Sequence, residues 1–291
     1  VVGSGSHPFA RYEQRQIYPA ARYEQLLERN RWIAQRLSIF GVHVHVGMRD
    51  GDHCVAMIHG ILHYLPHLLA LSANSPYWQG LDTGLASSRV TVFEAMPTAG
   101  HPPPYRDWAG FCELYARLER SRAISSIKDL WWDVRPHTGY GTAEVRICDM
   151  PATLGEILAL VGFTHALYAD LDRRLRAGER IAPPAEWRIR ENKWRASRHG
   201  LEALLVVDDD GGTEDLRAHL DATLDRLLRH EHDAERGAAL RAVRAMTASE
   251  SGHARQRRVF QAHGSLRDVV DDLAELLEQD LAERSSGTAP R

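Results

Sequence analysis

Two histidines and an acid–arginine pair are the side chains whose types and spacing could do chemistry together. His43 and His45 sit in Gly41-Val42-His43-Val44-His45-Val46-Gly47. Glu144 and Arg146 sit in Thr142-Ala143-Glu144-Val145-Arg146-Ile147-Cys148-Asp149. Residues two apart on a β-strand point to the same face. Each pair therefore projects to one side, and the intervening valines project to the other. An H-x-H pair can hold a metal ion, and read alone it suits zinc or another transition metal. The bland alternative is two histidines satisfied by core hydrogen bonds, but two polar groups on a buried face are expensive unless used. Glu144 and Arg146 in isolation read as a structural ion pair. Set opposite the histidines, they read as a metal ligand beside a clamp for phosphate or carboxylate, because a guanidinium donates two parallel hydrogen bonds. No Walker-type glycine loop and no G-x-G-x-x-G fingerprint is present. Any nucleotide would have to be held by sheet residues and metal ions.

Such a site needs two strands and a scaffold behind them. Valines alternating with histidines between glycines read as a strand. Residues 129–135 read as another, running through the turn at 136–141 into the glutamate strand as an antiparallel pair. Apolar residues at helical spacing predict helices over 19–40, 53–72, 107–122, 153–176 and 187–205, with two more around 216–228 and 266–277. Pro66 should break the second of these. Thr153 followed by Glu156 is a capping-box start. Residues 89–96 are either strand or short helix. His53, His59, His63 and His67 lie beside no carboxylate pattern and read as packing or surface histidines. The loops at 74–84 and 98–104 are dense in Pro, Gly and aromatics; they either carry function or hold a structural Trp78. Strands and helices in mixed order favour an α+β fold. Residues 1–284 read as one domain, and 285–291 as a disordered tail.

Composition sets outer bounds. With 44% hydrophobic and 26% charged residues and a net charge of −3, the 291-residue chain matches a soluble globular protein and not a nucleic-acid binder. No apolar run approaches the roughly 20 residues of a membrane span, and no basic-then-apolar signal opens the chain, so the expectation is no membrane and a cytoplasmic home. Cys54, Cys112 and Cys148 have no C-x-x-C spacing, which argues against a disulfide framework or thiolate zinc. Cys148 lies on the glutamate strand and reads as a buried structural thiol. The chain opens on Val1, as if it begins inside a larger protein.

Several of these motifs together carry a resemblance. GVHVHVG, NSPYWQGLDTG, YGTAEVRICDMP, HPFARYEQ and ENKWRASRHGLEA occur in the order found in the carboxylate–amine ligase family, the glutamate–cysteine ligase type 2 group. That family is distantly similar to glutamine synthetase. The resemblance covers 1–203 and, more weakly, the rest. It implies a glutamine-synthetase-like fold: a curved, largely antiparallel sheet flanked by helices, with a helical C-terminal part. It implies an ATP-dependent ligase with weak glutamate–cysteine ligase activity, ATP and Mg2+ or Mn2+ as cofactors, and small-molecule substrates, an amino-acid carboxylate and an amine. By motif position His43 and Glu144 would be metal ligands, and His45 would lie near the nucleotide phosphates. Arg146 would lie near the γ-phosphate or substrate carboxylate. Arg89, Arg135, Arg195 and Asn192 would help bind substrate or nucleotide, and Asp82 and Trp78 would shape the pocket loop. Family members start with a strand bearing several glutamates that is missing here, so the chain reads as N-terminally truncated. The alternative readings are an inactive remnant that binds nucleotide or a partner, and a cupin-like metal enzyme. The cupin reading expects a glutamate soon after H-x-H, where this chain has Asp50 and a helix. The amphipathic last helices could pair with a second copy as a homodimer.

Overall fold

The computed structural model describes residues 1–14 and 16–286. The helices are α1 (Ala21–Gln35), α2 (Gly51–Ile61), α3 (Leu65–Ser72), α4 (Ser88–Glu94), α5 (Trp108–Arg120), α6 (Leu154–Arg176), α7 (Glu186–His199), α8 (Leu216–His230), α9 (Ala234–Ala248), α10 (Gly252–His263) and α11 (Leu266–Ser285). The strands are β1 (Val44–Gly47), β2 (Tyr77–Trp78), β3 (Leu81–Asp82), β4 (Val134–His137), β5 (Thr142–Val145), β6 (Leu204–Val206) and β7 (Thr213–Asp215). Of the tail expected over 285–291, Ser285 closes α11 and Ser286 caps it, while 287–291 lie outside the described residues.

One three-stranded antiparallel sheet, in the order β1-β5-β4, organises the α+β fold. Two small antiparallel hairpins, β2-β3 and β6-β7, stand apart from it. In the main sheet His45 and Arg135 both pair with Glu144, while Val44 and Val134 both pair with Val145. The period-two alternation thus separates one polar face from one apolar face. The apolar side chains Val44, Val134, Ala143 and Val145 are all buried and belong to a core shared with α2, α3 and α6. An isolated bridge between Gly41 and Asp149 continues the β1–β5 pairing past the ladder.

The helices behind the sheet follow the apolar pattern, with local exceptions. The expected 53–72 helix is two helices, α2 and α3, bent by 62°. Pro66 sits in the first turn of α3, where its missing N–H is harmless, so the break falls just before it. Thr153 and Glu156 form the capping box that starts α6. Over an 18-residue window α6 reaches a mean hydropathy of 1.3, enough by length and composition for a span, yet half of that window is buried against the rest of the protein. Residues 89–96 resolve as helix α4. The strand expected at 129–135 starts only at Val134, because Ser126 and Asp129 form a capping box around a one-turn 3-10 helix, Ile127–Asp129. The helix expected to reach residue 205 stops at His199, since Gly200 adopts φ 58° and turns the chain into β6.

Candidate functional site

Glu144 is the hub of the polar face. It is buried, at 3% exposure, and accepts from Arg135 Nε at 2.7 Å through Oε2 and from Arg146 Nη1 at 2.6 Å through Oε1. His43 Nδ1 lies 3.3 Å and His45 Nε2 3.7 Å from Oε1. Four of the residues singled out by strand alternation, His43, His45, Glu144 and Arg146, therefore do converge. Burial alone would raise the Glu144 pKa. The His43 contact and the Arg146 and Arg135 charges outweigh it and hold the carboxyl far below its ordinary range. Burial, then repulsion from Arg135, brings Arg146 down to about 10. Burial also lowers His43 and His45, which favours neutral imidazoles.

The charges here do not cancel. Glu144 carries one negative charge against the two guanidiniums of Arg135 and Arg146. Arg89 adds a third, facing Asp149 at 3.8 Å. Arg135 is consumed by structure: besides Glu144, its Nη1 donates to the carbonyls of Ile127 and Leu130, at 2.7 Å each. Arg89 is pinned by donation to the carbonyls of Ile147 and Arg146, both at 3.0 Å. In both Arg89 and Arg146 the buried Nε has no hydrogen-bond partner among the described residues. Both residues, with His43, Phe93 and Trp131, line a cavity of about 380 Å³ roofed by α1 residues such as Tyr23, Leu26 and Leu27. A buried, net-positive floor is chemically suited to an anion.

A metal fits this set poorly. Both Glu144 oxygens are held by arginines, so a dication bound there would stand beside two guanidiniums. Among the described residues no group of three or more His, Cys, Asp or Glu is arranged to hold a metal ion. His43 and Glu144 meet, but they do not make a metal site by themselves.

Three of the expected residues lie elsewhere. Asn192 bonds to both backbone groups of Val206, N–H at 2.7 Å and C=O at 2.8 Å, and so docks β6 on α7. Arg195 pairs with Glu191 at 2.6 Å and reaches the Leu204 carbonyl. Asp82 pairs with Arg257 of α10. The four α2–α3 histidines are engaged in packing contacts: His53 with Asp172, His59 with the Tyr105 carbonyl, His63 with the Ala182 carbonyl, and His67 with His219.

The sequence reading passed over a ring cluster at the other end of the same face. His137 pairs with Thr142, so it shares the face of Arg135 and Glu144. Tyr140 stacks on His137 with centroids 4.3 Å apart and planes within 9°. His45 meets both rings edge-on, at 5.5 and 5.6 Å, and accepts from or donates to Thr142 Oγ1 at 2.9 Å. Tyr140 is 73% exposed, so its outer ring face is open. The available signal was the same period-two count, extended from Arg135 to His137.

The fold is of the glutamine-synthetase-like class, an α+β scaffold with a cationic cavity on its sheet. The fold is similar to that of the Pup ligase PafA of the prokaryotic ubiquitin-like modification pathway, solved in complex with ADP. The match has a TM-score of 0.50 at 15% identity and covers 87% of this chain and 58% of that one. The family follows from sequence. The sequence model of glutamate–cysteine ligase family 2 matches residues 1–272, and the chain belongs to that family, a family of carboxylate–amine ligases. A relative from Bdellovibrio bacteriovorus, named "Putative glutamate--cysteine ligase 2", is 47% identical over 284 residues, covering 97% of this chain and 74% of the relative. One from Frankia alni, named "Putative glutamate--cysteine ligase 2-1", is 41% identical over 273 residues, covering 94% and 72%.

Proposed function

We propose that this chain catalyses ATP-dependent ligation of a carboxylate to an amine, with the γ-carboxylate of glutamate as donor and the amine of cysteine as acceptor. One observation carries the reading: two buried guanidiniums, Arg89 and Arg146, line a half-open cavity, and with Arg135 they outnumber the carboxylates Glu144 and Asp149 that face them. The names of the relatives and the ADP in the structural neighbour support the choice of substrates and nucleotide.

A carboxylate is a poor electrophile, and ATP when bound supplies a phosphoryl group that turns the carboxylate oxygen into a leaving group. The chain's own residues do the rest. Arg146 and Arg89 hold and neutralise the anionic groups, in a water-poor site where such contacts are strong. Glu144 fixes the Arg146 guanidinium and does not move. His43, neutral and half exposed at the cavity wall, offers a ring nitrogen for the proton the attacking amine must lose. The Tyr140–His137 stack, about 13 Å along β5 from Arg146 at about 3.3 Å per residue, offers a flat surface for the nucleobase. Magnesium or manganese is the cation the resemblance implies; the residues present do not cage it, and no step here runs through it.

The test is phosphate and ADP release from ATP in magnesium buffer, with and without glutamate and cysteine. Hydroxylamine is added in parallel to trap an activated acyl group as hydroxamate. Amino-acid-dependent release that Arg146→Gln abolishes supports the reading. A folded chain that neither hydrolyses ATP nor forms hydroxamate with any amino-acid donor overturns it.

A further inference from the structure

A second cavity, of about 330 Å³, shares no lining residue with the first. It forms where the α2–α3 break, the end of α6, the α6–α7 connection, α7 and β6 meet. Leu62, Pro66 and Leu171 give it apolar wall, and its volume is that of a small-molecule pocket. Arg174, Arg180 and Arg188 also line it, together with His63 and His219, and among the described residues no Asp or Glu does.

The three guanidiniums are not equivalent. Arg174 is neutralised by Glu179, which receives its Nε at 2.8 Å. Arg188 is buried and donates Nη1 to the Val207 carbonyl at 2.7 Å; its carboxylate neighbour, Asp209, is exposed and 3.5 Å away. Arg180 makes no hydrogen bond or ion pair among the described residues. The histidines contribute polarity without charge. His63 Nε2 lies 2.9 Å from the Ala182 carbonyl and must donate there, and His219 Nδ1 shares a hydrogen with His67 Nε2 at 2.9 Å. Burial lowers the pKa of both.

We infer that this cavity is a second binding site, for a small organic anion, a carboxylate or phosphate monoester whose apolar body lies against Leu62, Pro66 and Leu171 and whose charge meets Arg180 and Arg188. A guanidinium left with free forks at the rim of an apolar chamber is matched by an oxyanion that satisfies both. Among the described residues no carboxylate lines the cavity, and Asp209, which faces Arg188 at 3.5 Å, stands outside its wall. The inference stands whether or not the chain is a ligase, because it uses none of the residues of the first cavity.

The probes are 4-methylpentanoate and isobutyl phosphate, which share an apolar body and differ in the anion. Each is titrated calorimetrically into the whole chain at low salt, beside Arg180→Gln, Arg188→Gln and Arg146→Gln. Saturable one-site binding is expected, weakened about tenfold or more by Arg180→Gln and untouched by Arg146→Gln. The probe that binds tighter identifies the anion class. Arg188 also supports Val207, so Arg180→Gln, at an exposed position with no partner to lose, is the decisive variant. Three results overturn the site: no saturable binding of either probe to folded protein, binding insensitive to both Arg180→Gln and Arg188→Gln, or binding lost only in Arg146→Gln.

Discussion

Arg146 donates to Glu144 at 2.6 Å across two positions of the same strand, and the pair is buried almost completely. Strand alternation makes this contact possible, and Arg135 from the neighbouring strand completes it. The result is a carboxylate shared by two guanidiniums. It acts as a rigid mount for Arg146, whose guanidinium lines the first cavity.

Removing the shared charge should be costly and pH-dependent. Glu144→Gln leaves two buried guanidiniums facing a neutral amide, which should destabilise the fold by about 3–5 kcal/mol at pH 7. The folded-state pKa of Glu144 lies below its ordinary 4.5, so the stabilisation is fully present above that value and is lost as pH falls below it. Urea denaturation of both proteins at pH 7 and pH 3 checks this. The gap between them should be smaller at pH 3. An equal gap at both pH values would mean that the charge of Glu144 is not what the fold depends on.

Arg146→Lys tests geometry against charge. Lysine keeps the positive charge but has no planar fork, so it can serve Glu144 or the ligand but not both at once. We expect kcat/KM for ATP-dependent hydroxamate formation to fall at least tenfold with the melting temperature little changed. His63→Ala, outside the first cavity, should leave kcat/KM unchanged. A loss of activity in His63→Ala equal to that in Arg146→Lys would point to a general loss of structure.

Tyr140→Ala should separate binding from chemistry. If the open face of Tyr140 carries the nucleobase, its removal should raise KM for ATP about tenfold, within the range of base–aromatic stacking, with kcat nearly constant. Tyr140→Phe should behave as wild type, because the ring does the stacking and not the hydroxyl. A change confined to kcat would place the ring in another role.

The layout of this face was more legible than its surroundings. Period-two alternation is enough to put His43 with His45 and Glu144 with Arg146, because a strand has only two sides. It cannot say which strands pair, and the register that sets His45 and Arg135 on either side of Glu144 is a tertiary fact. The same limit hides why Arg135 faces inward yet is saturated: its carbonyl partners, Ile127 and Leu130, come from a 3-10 turn that reads in sequence as the start of a strand. Asn192 and Arg195 belong to a polar run that resembles a binding motif. Part of that run is a clamp on β6, a strand obscured because Leu204 and Leu205 continue the apolar period of α7 across Gly200. The end of α7 depended on one backbone conformation at Gly200, which composition does not announce.

The sharpest test of the cavity floor is Gly41→Ala. Gly41 bridges Asp149 at the end of the β1–β5 pairing and lines the first cavity. A Cβ there would stand 2.3 Å from Arg89 Nη2, 2.6 Å from Arg89 Cζ and 2.7 Å from the Cys148 carbonyl. The carbonyl is backbone and cannot yield, so the guanidinium must leave the carbonyls of Ile147 and Arg146 that now hold it. Overpacking of this kind typically destabilises by about 1–3 kcal/mol. More telling is the expected loss of nucleotide affinity, because Arg89 would no longer face the ligand. Gly47→Ala is the matched control: it lies at the other end of the same strand, and its added Cβ would meet nothing within 4 Å. Calorimetric titration with ATP in magnesium should show weakened binding for Gly41→Ala and normal binding for Gly47→Ala. Normal binding by a folded Gly41→Ala protein would remove Arg89 from the site and leave Arg146 as its sole guanidinium.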